Sequence, residues 1–281
     1  MESTITKVSG RYTAKSPISH GSDEDFGMEQ RLRTLQMTVE EDGERFQEEI
    51  PVISGNSLRG RMRDLLAEDL LARLDLEVHD TLLYSLYSGG NLQRGAGGRK
   101  IKRSRINEVR DKVPMLSLLG TALGTQMIEG KLNVDMLIPV ASETEDYTGA
   151  KSDTSVFSYV DDVFYTRKDD IEGQTDSGGS GSADQAQQMK FNIQVFTPGT
   201  EFVHDLVLRS TSKIEASCLA HAINLFSQNP RLGGMEARGH GRVEFEYDDQ
   251  LPPPDVYTEY VDSNKQEIRE FLEKVDRDLE D

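Results

Sequence analysis

The spacing of apolar positions changes several times along this chain, and each change predicts an element. STITKVSGRYTA (residues 3–14) is rich in β-branched side chains and alternates loosely, which predicts a first strand. A polar segment, residues 15–50, follows, with a hairpin predicted around EEDG at residues 40–43. In PVISGNSLRGRMRDLLAEDLLARLD (residues 51–75), Leu58, Met62, Leu65, Leu66 and Leu70 fall on one stripe of a helix. Gly55, Asn56 and Ser57 supply turn and N-cap chemistry at its start.

Farther on, MLSLLG (residues 115–120) reads as an apolar packing turn and KLNVDMLIPV (residues 131–140) as a strand. Residues 141–187 are acidic, polar and rich in glycine and serine, which reads as linker-like. MKFNIQVFTPGTEFVHDLVLRS (residues 189–210) contains two alternating runs around Pro198-Gly199, and a hairpin is predicted there. The apolar helix SKIEASCLAHAINLFSQNP stops at Pro230, and RLGGMEARGHGRVEFEY then gives a glycine-rich loop and a last strand. After PPP comes an acidic amphipathic helix. The order strand, helix, strand, strand, helix, strand, with large insertions, is α+β and of the ferredoxin-like or RNA-recognition kind. Such a fold does not by itself specify a function.

Composition narrows the setting. The 281 residues are 36% hydrophobic, enough for one domain carrying insertions. No apolar run approaches about 18 residues and the N-terminus lacks a signal-peptide pattern, so a soluble, cytoplasmic protein with no membrane partner is expected. The single Cys218 sits in an apolar helical stretch and reads as a small buried residue. No cofactor is expected, and no metal either, because His20, His79, His204, His221 and His240 are scattered without ligand spacing.

Charge changes the picture more. Fifty acidic against 32 basic residues give a formal net charge of -18, a balance that fits a halophilic source. Yet Arg94 to Lys112 holds eight Lys or Arg residues against two acids, a local balance of +6. Concentrated salt screens exposed charges over a few ångströms, so nucleic-acid binding there requires clustered positive charge; the bland alternative is a solvated loop. Arg59 and Arg63, four apart beside the predicted helix start, make either a phosphate site or ion pairs with Asp64, Glu68 or Asp69. Tyr165, Arg167 and Lys168 form a small aromatic and basic island in FYTRKDD.

IPVISGNSLRGRMRDLL resembles the glycine-led helix start of the CRISPR-associated repeat-associated (RAMP) superfamily, in the subunits that form the crRNA-binding backbone of effector complexes. LSLLGTALG with GKLNVDMLIP, FNIQVFTPGTEF, and RLGGMEARGHGRVEFEY resemble later landmarks of that family, in order, across residues 3–247. The resemblance implies a modified RNA-recognition-motif palm with fingers and thumb insertions. By that reading residues 1–74, 131–140 and 188–250 make the palm and residues 75–130 a basic fingers insertion. Residues 141–187 make the thumb and residues 251–281 an acidic tail. It implies a subunit that polymerises along crRNA, presents it to a target nucleic acid and contacts other effector subunits.

Backbone grip on RNA calls for cations and main-chain donors rather than base readers. The residues that fit are Asn56, Ser57, Arg59 and Arg63 at the helix start and Arg99, Lys100, Lys102, Arg103 and Arg105 in the basic segment. Arg167 and Lys168 fit in the thumb, Gly233, Gly234, Arg238 and His240 in the glycine-rich loop, and Arg31 and Arg33 before the first helix. Tyr165 stacks on a base or packs at the thumb root. The alternative is an endoribonuclease of the type III kind that cuts target RNA through a loop aspartate; Asp23, Asp25 and Asp42 lie in the corresponding region, without the glycine-aspartate setting such a loop carries. His20 beside Asp23 is either an acid and base pair or a surface turn. The acidic loop before Arg33-Thr34 and the YTRKDD island resemble the type IV backbone more closely, which implies no cutting.

Overall fold

The computed structural model describes residues 5–22, 29–41, 43–90, 103–123, 126–167, 189–210, 212–248 and 251–280, with Glu41, Arg103, Thr166, Arg167, Met189, Lys190 and Glu280 described through their backbone only. The first half of the chain forms β1 (Ile5–Ala14), β2 (Glu29–Gln30), β3 (Thr34–Glu41), β4 (Glu44–Pro51), α1 (Gly55–Leu74), α2 (Asp80–Tyr87), α3 (Arg103–Lys112) and α4 (Pro114–Leu119). Short strands β5 (Thr121–Leu123), β6 (Gln126–Ile128), β7 (Leu132–Val134) and β8 (Ile138–Pro139) lead to the single turn α5 (Glu145–Thr148). The chain continues with β9 (Val160–Arg167), β10 (Met189–Phe196), β11 (Glu201–Arg209), α6 (Lys213–Gln228), β12 (Val243–Tyr247), α7 (Asp255–Ser263) and α8 (Lys265–Glu280).

The central sheet runs β12-β1-β11-β7, with β8 also on β11, and every pairing is antiparallel. Leaving out the two-residue β8 and counting the other four strands in chain order, that is 4-1-3-2, the split βαβ arrangement of a ferredoxin-like palm. Alternation builds it: β1 buries every second residue from Val8 to Ala14, and β11 buries Phe202, His204, Leu206 and Leu208. Val8, Tyr12, Ala14, Phe202, Leu206 and Leu208 share one core with Leu58, Met62, Leu66, Leu70 and Leu74 of α1 and with Cys218, Leu219, Ala222 and Phe226 of α6. Each fully buried leucine contributes about 2 kcal/mol relative to exposure. Cys218 is thus the small buried residue expected, and burial raises its thiol far above the ordinary range.

The hairpin expected around EEDG is present: β3 and β4 pair from Thr34↔Pro51 to Glu41↔Glu44, with Gly43 at φ 81° in the turn. The second expected hairpin is not. Both of its runs are strands, but β10 pairs with β9 and β2, whereas β11 pairs with β1, β7 and β8. The turn at Thr197–Thr200 sends the chain from one sheet to another; the Gly199 N–H goes to Ala14 O, 2.8 Å away, at the end of β1. Alternation fixes which face of a strand is buried, not which strand supplies its hydrogen bonds. One consequence is that β10, expected in the palm, is hydrogen-bonded along its length to β9 from the acidic insertion.

The acidic C-terminal segment is helical, and it is docked. Ile268, Phe271, Leu272 and Val275 of α8 join the main core. Its carboxylates meet the basic helix α3: Arg105 donates to Asp278 at 2.7 Å, and Lys112 pairs with Glu267; Arg105 also donates to Glu108 of its own helix at 3.0 Å. Arg105 and Lys112 also lie over the Phe271 ring, 5.4 and 5.6 Å from its centroid. Among the described residues no helix is long and apolar enough to cross a membrane.

Candidate nucleic-acid interface

The start of α1 is capped one residue earlier than the sequence suggested. The Ser54 side chain, not that of Asn56 or Ser57, accepts the Asn56 N–H at 3.1 Å. The preceding N–H, of Ser54 itself, donates to Nε2 of His20 at 2.9 Å. His20 is therefore an acceptor at the helix entrance. Its expected partner Asp23 lies outside the described residues, as do Asp25 and Asp42. Asn56 is exposed and Ser57 half-buried at the first turn, where the Ser57 N–H donates to Ser54 O at 3.0 Å, so it is the two side chains that the turn presents.

The glycine-rich loop packs directly beside this entrance. Gly234 N donates to Ser19 O at 2.8 Å, and Arg61 of α1 reaches Glu236 at 3.8 Å. Gly233 has φ 79°, and a Cβ there would come within 2.1 Å of Ser19 O. The missing side chain at Gly233 thus serves contact with the chain's own loop, which corrects the expectation that it opens space for RNA. Gly234 keeps that openness, since only Ser19 O, at 4.0 Å, would meet a Cβ.

His240 is only 3% exposed and corrects its expected role as a direct contact. The Tyr165 hydroxyl hydrogen-bonds to its Nε2, and Arg231 donates to its carbonyl at 2.7 Å. Burial first, and the nearby Arg238 charge second, hold the imidazole below its ordinary pKa, which suits a neutral ring accepting from tyrosine. Arg238 is exposed and lays its guanidinium over the Tyr165 ring, 4.7 Å from the centroid. The aromatic island on β9 and the glycine-rich loop, far apart in sequence, therefore form one surface. Phe164, 68% exposed, projects from the neighbouring position of β9.

The other expected residues divide. Arg63 is 8% exposed and donates to Gly120 O at 2.9 Å and Leu119 O at 2.7 Å; Arg59 also donates to Leu119 O. The expected ion pairs do not form: both arginines turn toward the C-terminal end of α4, and neither pairs with Asp64, Glu68 or Asp69. Asp69 is taken by Arg73 and His221. Arg105 is committed to Asp278 and Glu108, so its side chain serves the fold. Arg31 is exposed near Glu29, at 3.8 Å, and Arg33 is half-buried. Arg99, Lys100, Lys102 and Lys168 lie outside the described residues, and Arg103 and Arg167 are placed by backbone alone. Arg61 was missed: it follows Arg59 by two positions, which a helix turns to another face. Among the described residues no group of three or more His, Cys, Asp or Glu side chains could hold a metal ion.

The architecture has a known counterpart. The chain matches a chain of a solved structure titled "Type IV-B CRISPR Complex" with a TM-score of 0.64 and 20% sequence identity, covering 90% of this chain and 96% of that one. The match extends beyond the palm to most of the insertions, so the two chains share one α+β fold, a ferredoxin-like palm carrying large insertions. No protein-family model matches the sequence. None of the curated proteins matches it either.

Proposed function

We propose that this chain is a crRNA-binding backbone subunit of a CRISPR effector complex of the type IV kind, a cytoplasmic ribonucleoprotein component. It polymerises along the guide, presents it to a target DNA or RNA and contacts other effector subunits. The observation that carries this reading is the surface where Asn56 and Ser57 of the α1 entrance, the loop around Gly234 and Arg238, and Tyr165 of β9 converge. It offers the exposed Asn56 side chain, the Ser57 hydroxyl, a cation and an aromatic face, the chemistry that grips a single strand by phosphate and stacking. The fold shared with a chain of a type IV-B complex supports the setting.

Residues 75–130 act as fingers and 141–187 as thumb, and Arg99, Lys100, Lys102, Arg103, Arg167 and Lys168 add phosphate contacts. Arg31 and Arg33 extend the surface. Head-to-tail contacts that do not close give an open helix along the RNA. Light scattering of the protein with a long cognate crRNA tests this: growth in mass proportional to RNA length supports it, and a persistent monomer overturns it. Labelled target RNA incubated with the assembled complex and magnesium separates the nuclease alternative, which requires periodic cuts.

A further inference from the structure

We propose that the cavity on the β3–β4 hairpin, lined by Val39, Phe46, Glu48 and Phe157, is a docking socket for one arginine side chain presented by a protein segment of another chain. It encloses about 180 Å³, below the roughly 300–1,000 Å³ of small-molecule sites, so it has room for one long side chain and not for a nucleotide. The source of that segment, another subunit of the same complex, rests on the function proposed above; the chemistry of the cavity does not.

The hairpin carries a small core of its own, separate from the main one: Met37 and Ile50 of its two strands with Val52, Ala141 and Val156. Side chains at alternate strand positions share a face, so Val39 and Phe46, directly opposite in the register, continue that apolar face past the core. There it stays open. Val39 is 3% exposed, but Phe46 is 40% exposed, and Phe157, brought to the same cavity by the short turn Val156–Tyr159, is 49% exposed. Two half-exposed rings around one cavity leave apolar surface in water that a partner would cover.

Charge decides what kind of partner. Residues 34–51 hold six acids against the single Arg45. Arg45 is taken by Glu40 at 2.9 Å, and Glu143, also on the cavity wall, takes the Val156 N–H at 2.9 Å and the Ser155 hydroxyl. That leaves Glu48. Half-buried, two positions from Phe46 and on the same strand face, it has no ion pair or hydrogen bond among the described residues. A partly desolvated carboxylate without a counter-charge is costly, and beside two aromatic rings it calls for a cation that is itself flat and weakly hydrated. Arginine has those properties: its guanidinium stacks on a ring and forks onto a carboxylate, while its aliphatic stem lies against apolar side chains. The acids of the hairpin repel phosphates, which keeps RNA off this face.

Titration of the full chain with the peptide acetyl-Gly-Leu-Arg-Leu-Gly-amide and with its glutamine counterpart, read by NMR on the ring signals of Phe46 and Phe157, tests the socket. The proteins compared are wild type, Glu48→Gln and Phe157→Ala. Neither substitution threatens folding, because Glu48→Gln keeps the side-chain shape and Phe157 is 49% exposed. The arginine peptide should bind wild type about tenfold more tightly than the glutamine peptide, and each variant should lose about that factor. No binding by wild type, equal affinity for the two peptides, or an affinity unchanged in either variant overturns the proposal. Sedimentation of the free protein covers the other occupant: a wild-type dimer that both variants dissolve would give the cavity to a second copy and overturn the partner segment. Titration of the same proteins with a short single-stranded RNA separates the socket from the guide reading. Peptide binding by a protein that ignores RNA would remove the guide reading and leave the socket standing, and RNA binding without peptide binding would do the reverse. A fall in RNA affinity in either variant would make this face part of the nucleic-acid surface and overturn the socket.

Discussion

Arg238 lies 4.7 Å from the centre of the Tyr165 ring, while His240, two residues on, takes the hydroxyl of the same tyrosine. The glycine-rich loop and β9 thereby hold one aromatic side chain from its face and from its tip. The hydroxyl contact fixes the ring, and the guanidinium leaves it beside a positive charge, so a base stacked there would meet both an aromatic surface and a cation.

Tyr165→Ala should therefore weaken single-stranded RNA binding by about 1–3 kcal/mol, the range for one stacked base. Tyr165→Phe keeps the ring without the His240 bond, so it should fall between wild type and alanine. Fluorescence anisotropy with a labelled RNA checks the order; equal affinities for all three proteins would leave Tyr165 as packing alone.

The cations of the basic segment should separate by role. Alanine at Lys100, Lys102 and Arg103 should lower RNA affinity for every sequence and reduce the salt slope by about 0.7 for each phosphate of a single strand that is no longer neutralised. Arg105→Ala should leave that slope unchanged and instead loosen α8, which is deprived of the Asp278 pair and of the cation over Phe271, by about 1 kcal/mol. Salt-dependent titrations and chemical denaturation measure the two effects separately.

Gly233→Ala should destabilise the protein by at least about 2 kcal/mol, because φ 79° disfavours a side chain and the added Cβ would overlap Ser19 O. Gly234→Ala meets no such obstacle and should be near neutral for folding. Urea denaturation of the two variants gives the comparison.

Acid should weaken the fold before the carboxylates titrate. Burial brings His204 down to about 4, with Asp205 opposing only in part, while its Nε2 bonds to the Tyr247 hydroxyl at 2.8 Å. The unfolded chain takes up this proton near pH 6.5 and the folded one does not, so the stability is present above 6.5 and lost as pH falls toward 4. Between pH 7.5 and 5 the loss should be about 2 kcal/mol from this group, with His240 shifted in the same direction. His204→Gln should flatten that part of the stability profile; an unchanged profile would count against the assignment.

Much of the fold follows from local pattern. The α1 stripe from Leu58 to Leu70, the alternation of β1 and β11, the turn near Gly43 and the burial of Cys218 all express a period of 3.6 or 2 that a single segment carries by itself. The order of those segments was enough for the ferredoxin-like class of the fold, though not for which strands build its sheet. What each strand or cation meets across space is another matter. Only the tertiary structure sent β10 to β9 instead of β11, turned Arg59 and Arg63 toward Leu119 and Gly120, and laid Arg105 against Asp278. It alone brought Tyr165 to Arg238 and His240. The physical reason is one of range: periodicity records which face of an element leaves water, whereas a backbone or a charge finds its partner by proximity, which packing of the whole chain decides.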